Sequence, residues 1–223
     1  SVYLAFAAKS YTPTRTLTTE HLAVEGEECG TPGFTVSESA RTVTEAVSST
    51  QTFTVVLTTE PSSDVVIDVA SSDTGEDTVS AASLTFTSGN WNTPQTITVT
   101  GAPDDIDDGN QVSTVTLSVD DASSDDTFDS LADQTVSVTT TDNDTVGFTL
   151  SGTTASVSET ETTDTFTVVL NSEPTDDIML AIVSSDAGEA TASPAFLTFT
   201  STNWNTAQTV TVTGVDDTAS DGN

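Results

Sequence analysis

Apolar residues recur at every second position in short runs along this chain. Phe53, Val55 and Leu57 alternate with Thr52, Thr54 and Val56, and Val65, Ile67 and Val69 keep the same period. Val115, Leu117 and Val119, then Val136 and Val138, repeat it. Period two, filled with Thr and β-branched Val, suits a strand with one face buried and one face wet. The pattern predicts strands over 34–37, 41–46, 51–58, 64–70, 83–87, 95–101, 113–119 and 134–141. Turn signals such as Glu60-Pro61-Ser62, Ser88-Gly89-Asn90 and Asp108-Gly109-Asn110 separate them. Seven or eight short antiparallel strands at this spacing predict an all-β, immunoglobulin-like sandwich of two sheets.

The pattern then returns. Residues 71–110 and 184–223 are offset by 113 positions, and 27 of the 40 aligned residues are identical. Thr52–Leu57 matches Thr165–Leu170 at the same offset, and Gly33-Phe34-Thr35 matches Gly147-Phe148-Thr149 at an offset one larger. A period of this length is too long for a solenoid turn and fits one sandwich domain of about 100 residues. The expected organisation is an N-terminal extension over 1–32, a first sandwich over 33–145 and a second over 146–223. The short join at Asp142–Gly147 should set the two sandwiches end to end. The second lacks a counterpart of residues 111–145, and with it the last two strands. The extension holds two strand-length apolar segments, Val2–Ala8 and Leu17–Val24. Two readings follow: a piece of a longer array, or donor-strand exchange, in which one subunit's N-terminal segment completes the next subunit's open sandwich, head to tail.

Charge narrows the function. The 223 residues carry 3 Lys+Arg against 35 Asp+Glu, a formal net charge of -32. Such a surface repels a phosphate backbone, which excludes nucleic acid as a partner. One Cys and one His cannot supply the soft ligands of a zinc or iron–sulfur site. No apolar run approaches the roughly 18 residues of a membrane span, and the start of the chain lacks the layout of a secretion signal. Neither membrane insertion nor a retained leader is expected. Catalysis is poorly supported, because His21 lies outside the repeat and Cys29 follows Glu27-Glu28, a setting that disfavours the thiolate. Cys29 is read either as buried and inert or as bonded to another subunit's thiol. Asn143-Asp144-Thr145 is a glycosylation sequon. Trp91 and Trp204 hold equivalent places in Asn-Trp-Asn-Thr, where an indole can cap a sandwich or stack on a sugar ring of a surface glycan.

The acids are not spread evenly. Ser83–Pro103 and Ser193–Val215 contain none, whereas Asp73, Glu76 and Asp77, then Asp104, Asp105, Asp107 and Asp108, then Asp142 and Asp144 cluster in loops. Several of these loops belong at one pole of the sandwich. Carboxylates at roughly 5 Å repel by about 3 kcal/mol per pair at an effective dielectric near 20. No Lys or Arg follows Arg41 to offset that. A hard cation taking about six to eight oxygen ligands does so, which favours calcium over magnesium. The alternative is a solvated or salt-adapted acidic face without a specific metal. No EF-hand loop is present, and 12 Gly are too few for a glycine-rich calcium β-roll.

Val43-Thr44-Glu45 with the Thr52–Leu57 strand, Leu84-Thr85-Phe86 leading to Thr96–Val99, the following Asp104-Asp105 and the closing Asp142-Asn143-Asp144 resemble the Calx-beta family. The second unit repeats all but the last, with Val157-Ser158-Glu159, Leu197-Thr198-Phe199, Thr209–Val212 and Asp216-Asp217, so the resemblance spans 33–223. It implies tandem Calx-beta-type sandwiches whose first-strand Glu, acid pair and closing Asp cluster converge on calcium. Carried over, the first unit's ligands are Glu45, Asp73, Asp104, Asp105, Asp107, Asp108, Asp142 and Asp144. The second unit's are Glu159, Asp186, Asp216, Asp217 and Asp221. Pro103 stands where the second unit has Asp216, and Thr218 where the first has Asp105. Repeats low in Lys and rich in Thr and Asp look most like stalks of bacterial surface adhesins. The expectation is a non-catalytic extracellular structural protein at a cell surface, its partners being further repeats or copies of itself.

Overall fold

The computed structural model describes residues 30–46 and 48–216. Residues 1–29, which hold Val2–Ala8, Leu17–Val24, His21 and Cys29, lie outside them, as do Asp217 and Asp221. Among the described residues the secondary structure is entirely β, in fifteen strands.

The first nine form two sheets. One has the order β1(Phe34–Val36), β3(Thr50–Leu57), β7(Gln95–Gly101), β5(Asp77–Val79). The other runs β2(Ala40–Thr44), β9(Gln134–Thr141), β8(Gln111–Val119), β4(Val65–Ser71), β6(Ser83–Phe86). The alternation read from sequence is the cause. Phe53, Val55 and Leu57 point inward from β3, and Val65, Ile67 and Val69 from β4, none more than 3% exposed. Ile97 and Val99, Val115 and Leu117, and Val136 and Val138 complete one continuous core. Cross-strand register matches like with like: Phe53 faces Ile97 in β3–β7, and Val69 faces Leu117 in β4–β8.

Two features differ from the strand pattern read in the sequence. The first stretch divides, β1 pairing antiparallel with β3 while β2 crosses to the opposite sheet and pairs parallel with β9. The crossing needs close backbone approach, which Gly101 at the end of β7 supplies, since a Cβ there would lie 2.1 Å from the carbonyl oxygen of Thr44. The second is β5, a three-residue strand unread in the sequence, because a buried Asp begins it against ordinary strand propensity.

The remaining strands repeat part of this plan. β10(Phe148–Leu150), β11(Thr163–Leu170), β15(Gln208–Gly214) and β13(Ala190–Ser193) reproduce the first sheet's order. β12(Ile178–Ala181) and β14(Phe196–Phe199) stand alone where the first unit has five strands. Counterparts of β8 and β9 are absent among the described residues. So is a counterpart of β2, residues 155–158 forming no strand. Trp91 and Trp204 are half-buried and pack on the two cores, and their carbonyls accept the N–H groups of Leu57 and Leu170 at 3.1 Å.

Candidate metal centre

The ends of β2 and β9, the turn before β5 and the loop after β7 meet at one pole. Glu45 follows β2 directly, and its N–H bonds the carbonyl of Thr141 on β9 at 3.2 Å, which brings it beside Asp142-Asn143-Asp144. The loop from Ala102 is anchored by the Ala102 N–H to the carbonyl of Glu76 at 2.8 Å. Asp104 shapes that loop by accepting the Ile106 N–H at 2.8 Å. The result is convergence: one carboxylate oxygen each from Glu45, Asp104 and Asp144 lies within 4.8 Å of the others.

Glu45 is the unusual member. Its residue is 2% exposed, Oε2 accepts the Asn143 N–H at 3.3 Å, and Oε1 is buried without a partner. A buried carboxylate oxygen lacking a donor is costly unless a cation or proton meets it. Burial, followed by repulsion from Asp142, Asp104 and Glu76, pushes its pKa up to about 7, against a smaller lowering by the Asn143 N–H. Asp144 is raised by burial and then by Asp105 and Asp142. Asp142 moves the other way, because the N–H groups of Asp144 and Gly109, both at 2.7 Å, stabilise its charged form. It therefore braces the pole.

Beside this trio sits Glu76, which the sequence grouped with Asp73 and Asp77 but did not place among the ligands. Its Oε2 is buried without a partner, and burial, then Asp108, Asp104, Asp73 and Asp77, raise its pKa. Asp77 is fully buried and bonded to the Ser113 hydroxyl, with Oδ1 left unpartnered. Asp73 accepts the Gly75 N–H at 2.9 Å and forms the turn that carries Glu76. These groups are oxygen donors without a neutralising cation, and the sole ion pair among the described residues, Arg41–Glu38 at 3.4 Å, involves none of them. The donor set fits calcium, a hard ion that takes carboxylates in irregular geometry.

Asp105 and Asp107 border the pole, where both repel Asp144, and also link it to the second sandwich. The carbonyl of Asp105 accepts the Glu173 N–H at 2.6 Å, and the Asp107 carboxylate accepts the Val146 N–H at 2.6 Å. In the second unit Asp186 forms the same turn as Asp73, accepting the Gly188 N–H at 3.0 Å. Glu159, Asp186 and Asp216 are exposed and join no comparable cluster among the described residues. Among the described residues no strand covers Glu159, and it is exposed.

Neither a protein-family model nor a curated protein matches the chain. Solved structures do. The calcium binding domain CBD12 of CALX1.1 aligns over 80% of this chain and 74% of that one at 15% identity and a TM-score of 0.39. The periplasmic chaperone SfaE aligns over 50% of this chain at 9% identity and a TM-score of 0.38, the aligned part spanning 57% of the chaperone. Domains 1–6 of surface layer protein SbsC align over 82% of this chain and 22% of that one, at 15% identity and a TM-score of 0.33. Likeness at this level concerns β-sandwich architecture alone.

Proposed function

We propose that this chain is a non-catalytic, calcium-binding structural protein of the cell surface, its Calx-beta-like sandwiches acting as stiffened units of a stalk or filament. The observation that carries this reading is the buried, unpartnered Oε1 of Glu45 beside Asp104 and Asp144. Glu45, Asp104 and Asp144 would hold the ion, with Glu76 within reach of a second donor position. A bound divalent cation supplies charge neutralisation, and the chain does the rest. The loop over 102–110 carries Asp104 at the pole while Asp105 and Asp107 grip Glu173 and Val146 of the next sandwich. Fixing Asp104 therefore fixes the grip. Anionic repulsion otherwise spreads the loop and loosens the joint.

Extracellular placement suits this chemistry, since weak oxygen-ligand sites fill where calcium is abundant. No helix among the described residues is long and apolar enough to cross a membrane. Both indoles pack on the cores, so no observation favours the glycan reading. The test is a thermal melt with calcium and then with chelator, at constant ionic strength and with a sodium control. Calcium near 100 times its Kd should add about 2.7 kcal/mol of stability. Equal melting in calcium and chelator, with salt alone stabilising, would mark the acids as a solvated face.

A further inference from the structure

β2 carries Glu45 to the pole, and it lies at the end of its sheet, hydrogen-bonded to β9 on one edge only. Arg41, Val43 and Glu45 share its inward face at every second place, and Val43 and Glu45 are buried. Arg41 is the one Lys or Arg among the described residues. Its Nε donates to the carbonyl of Thr52 on β3 at 2.7 Å, and Nη1 lies 3.3 Å from the Ala40 carbonyl and 3.4 Å from the Glu38 carboxylate. β1 parts from β3 at Ser37, whose N–H donates to the Thr54 carbonyl and whose hydroxyl accepts the Thr54 N–H, both at 2.9 Å. Thr52 offers the next carbonyl on that edge. Arg41 takes the place that β1 vacates and ties β2 across to the opposite sheet.

Alternation settles which face of β2 is buried but not where the strand sits along β9, because a slip by one residue flips every side chain and a slip by two flips none. Repulsion from Asp142, Asp104 and Glu76 acts on Glu45 and draws the strand toward water. A slip by two places, about 7 Å, would carry Glu45 past Asp104 and Asp144 and drive Arg41 into the core place of Val43. We infer that Arg41 is the positioning residue that forbids this slip, setting the register of β2 against β9 and with it the depth of Glu45 in the ion site. Backbone bonds to β9 can be remade two places along. The bond to Thr52 cannot, and a guanidinium is not tolerated where Val43 is 1% exposed. Charge alone does not explain the placement: four residues along the strand is about 13 Å, beyond the Debye length of about 8 Å at physiological ionic strength. The consequence at Glu45 rests on the calcium reading above, whereas the hold on β2 does not.

The test is amide hydrogen exchange in chelator and calorimetric titration with calcium, on the full chain and its R41T, R41K and E38Q variants. Removing a cation from a chain of net charge -32 should by electrostatics alone leave calcium binding unchanged or tighten it. The expected result for R41T is the opposite: calcium affinity about tenfold weaker and amides of residues 42–45 exchanging about tenfold faster, as loss of a charge-assisted hydrogen bond implies, with β4 protected as in wild type. R41K keeps the charge without the planar fork and should fall between. E38Q keeps the Thr52 bond and should match wild type in both readouts. Unchanged exchange over 42–45 in R41T overturns the inference, as does calcium affinity equal to or tighter than wild type. So does an E38Q chain that reproduces the loss, which would assign it to the ion pair. If R41T also exposes β4, R41K decides, and wild-type exchange and affinity there overturn the inference. A wild-type chain that binds no calcium sinks the calcium reading alone, and exchange over 42–45 still decides whether Arg41 holds β2.

Discussion

Glu45 has a side chain whose environment opposes its charge, and its position beside Asp104 and Asp144 makes that opposition useful. Its pKa rises from 4.5 to about 7 on folding, so between those values the folded chain holds a proton that the unfolded chain has lost. Stability contributed by this group is therefore greatest at low pH and falls as pH rises through the window. Asp142, held below the ordinary range by two N–H groups, acts oppositely and loses its contribution only as pH falls further. In chelator the melting temperature should fall from pH 5 to pH 8, and calcium should flatten that slope by taking the proton's place. Glu45→Gln should remove the slope, melt higher than wild type in chelator, and bind calcium at least about tenfold more weakly. Calorimetric titration and melts over the pH series read all three. A slope that persists in Glu45→Gln would assign it to Glu76 or Asp144, whose pKa values rise for the same cause.

Among the elements, the crossing of β2 decides whether Glu45 reaches the pole. The parallel pairing of Thr44 with Thr141 aligns it, and Gly101 leaves the space. Gly214 leaves the same space against Ser158, 2.1 Å from its carbonyl oxygen, yet there no strand forms. Gly101→Ala should cost about 2 kcal/mol or more and abolish calcium stabilisation, whereas Gly214→Ala should destabilise without changing calcium affinity. Urea melts with and without the ion separate the two. This contrast shows what the sequence could carry. Period-two runs such as Phe53-Val55-Leu57 marked strands to within a residue or two, because burial of one face is written into alternation. The acids of the pole were readable as clusters, since loops interrupt that alternation. Their sorting was not. Asp104 and Asp107 are three residues apart in one loop, yet Asp104 converges with Glu45 and Asp144 while Asp107 also accepts the Val146 N–H. Glu159 reads like Glu45 by sequence, yet Glu45 is buried and Glu159 exposed. β5 stayed hidden because Asp77 occupies a core position, tolerated through the hydroxyl of Ser113.

For the whole molecule, charge and connection act together. A net charge of -32 with three basic residues leaves no means of neutralising the pole from within, so ionic strength and divalent ions act as external terms in its stability. Monovalent salt screens all carboxylates, and calcium acts where Glu45, Asp104 and Asp144 converge. The two should differ in what they do to shape. At the joint a cleft of about 440 Å³ lies between Ile106 and Asp107 on one side and Phe148, Pro174 and Ile178 on the other. Its walls are held together by the bonds from Glu173 and Val146 to the 102–110 loop. Spin labels on the two sandwiches should give a broad distance distribution in chelator and a narrow one in calcium, while sodium chloride at matched ionic strength leaves it broad. Asp107→Ala, which removes the acceptor of the Val146 N–H, should keep the distribution broad in calcium while the ion still raises the melting temperature. A joint equally narrow in chelator would mean that the two backbone-anchored bonds suffice for its stiffness. Calcium would then stabilise the first sandwich alone.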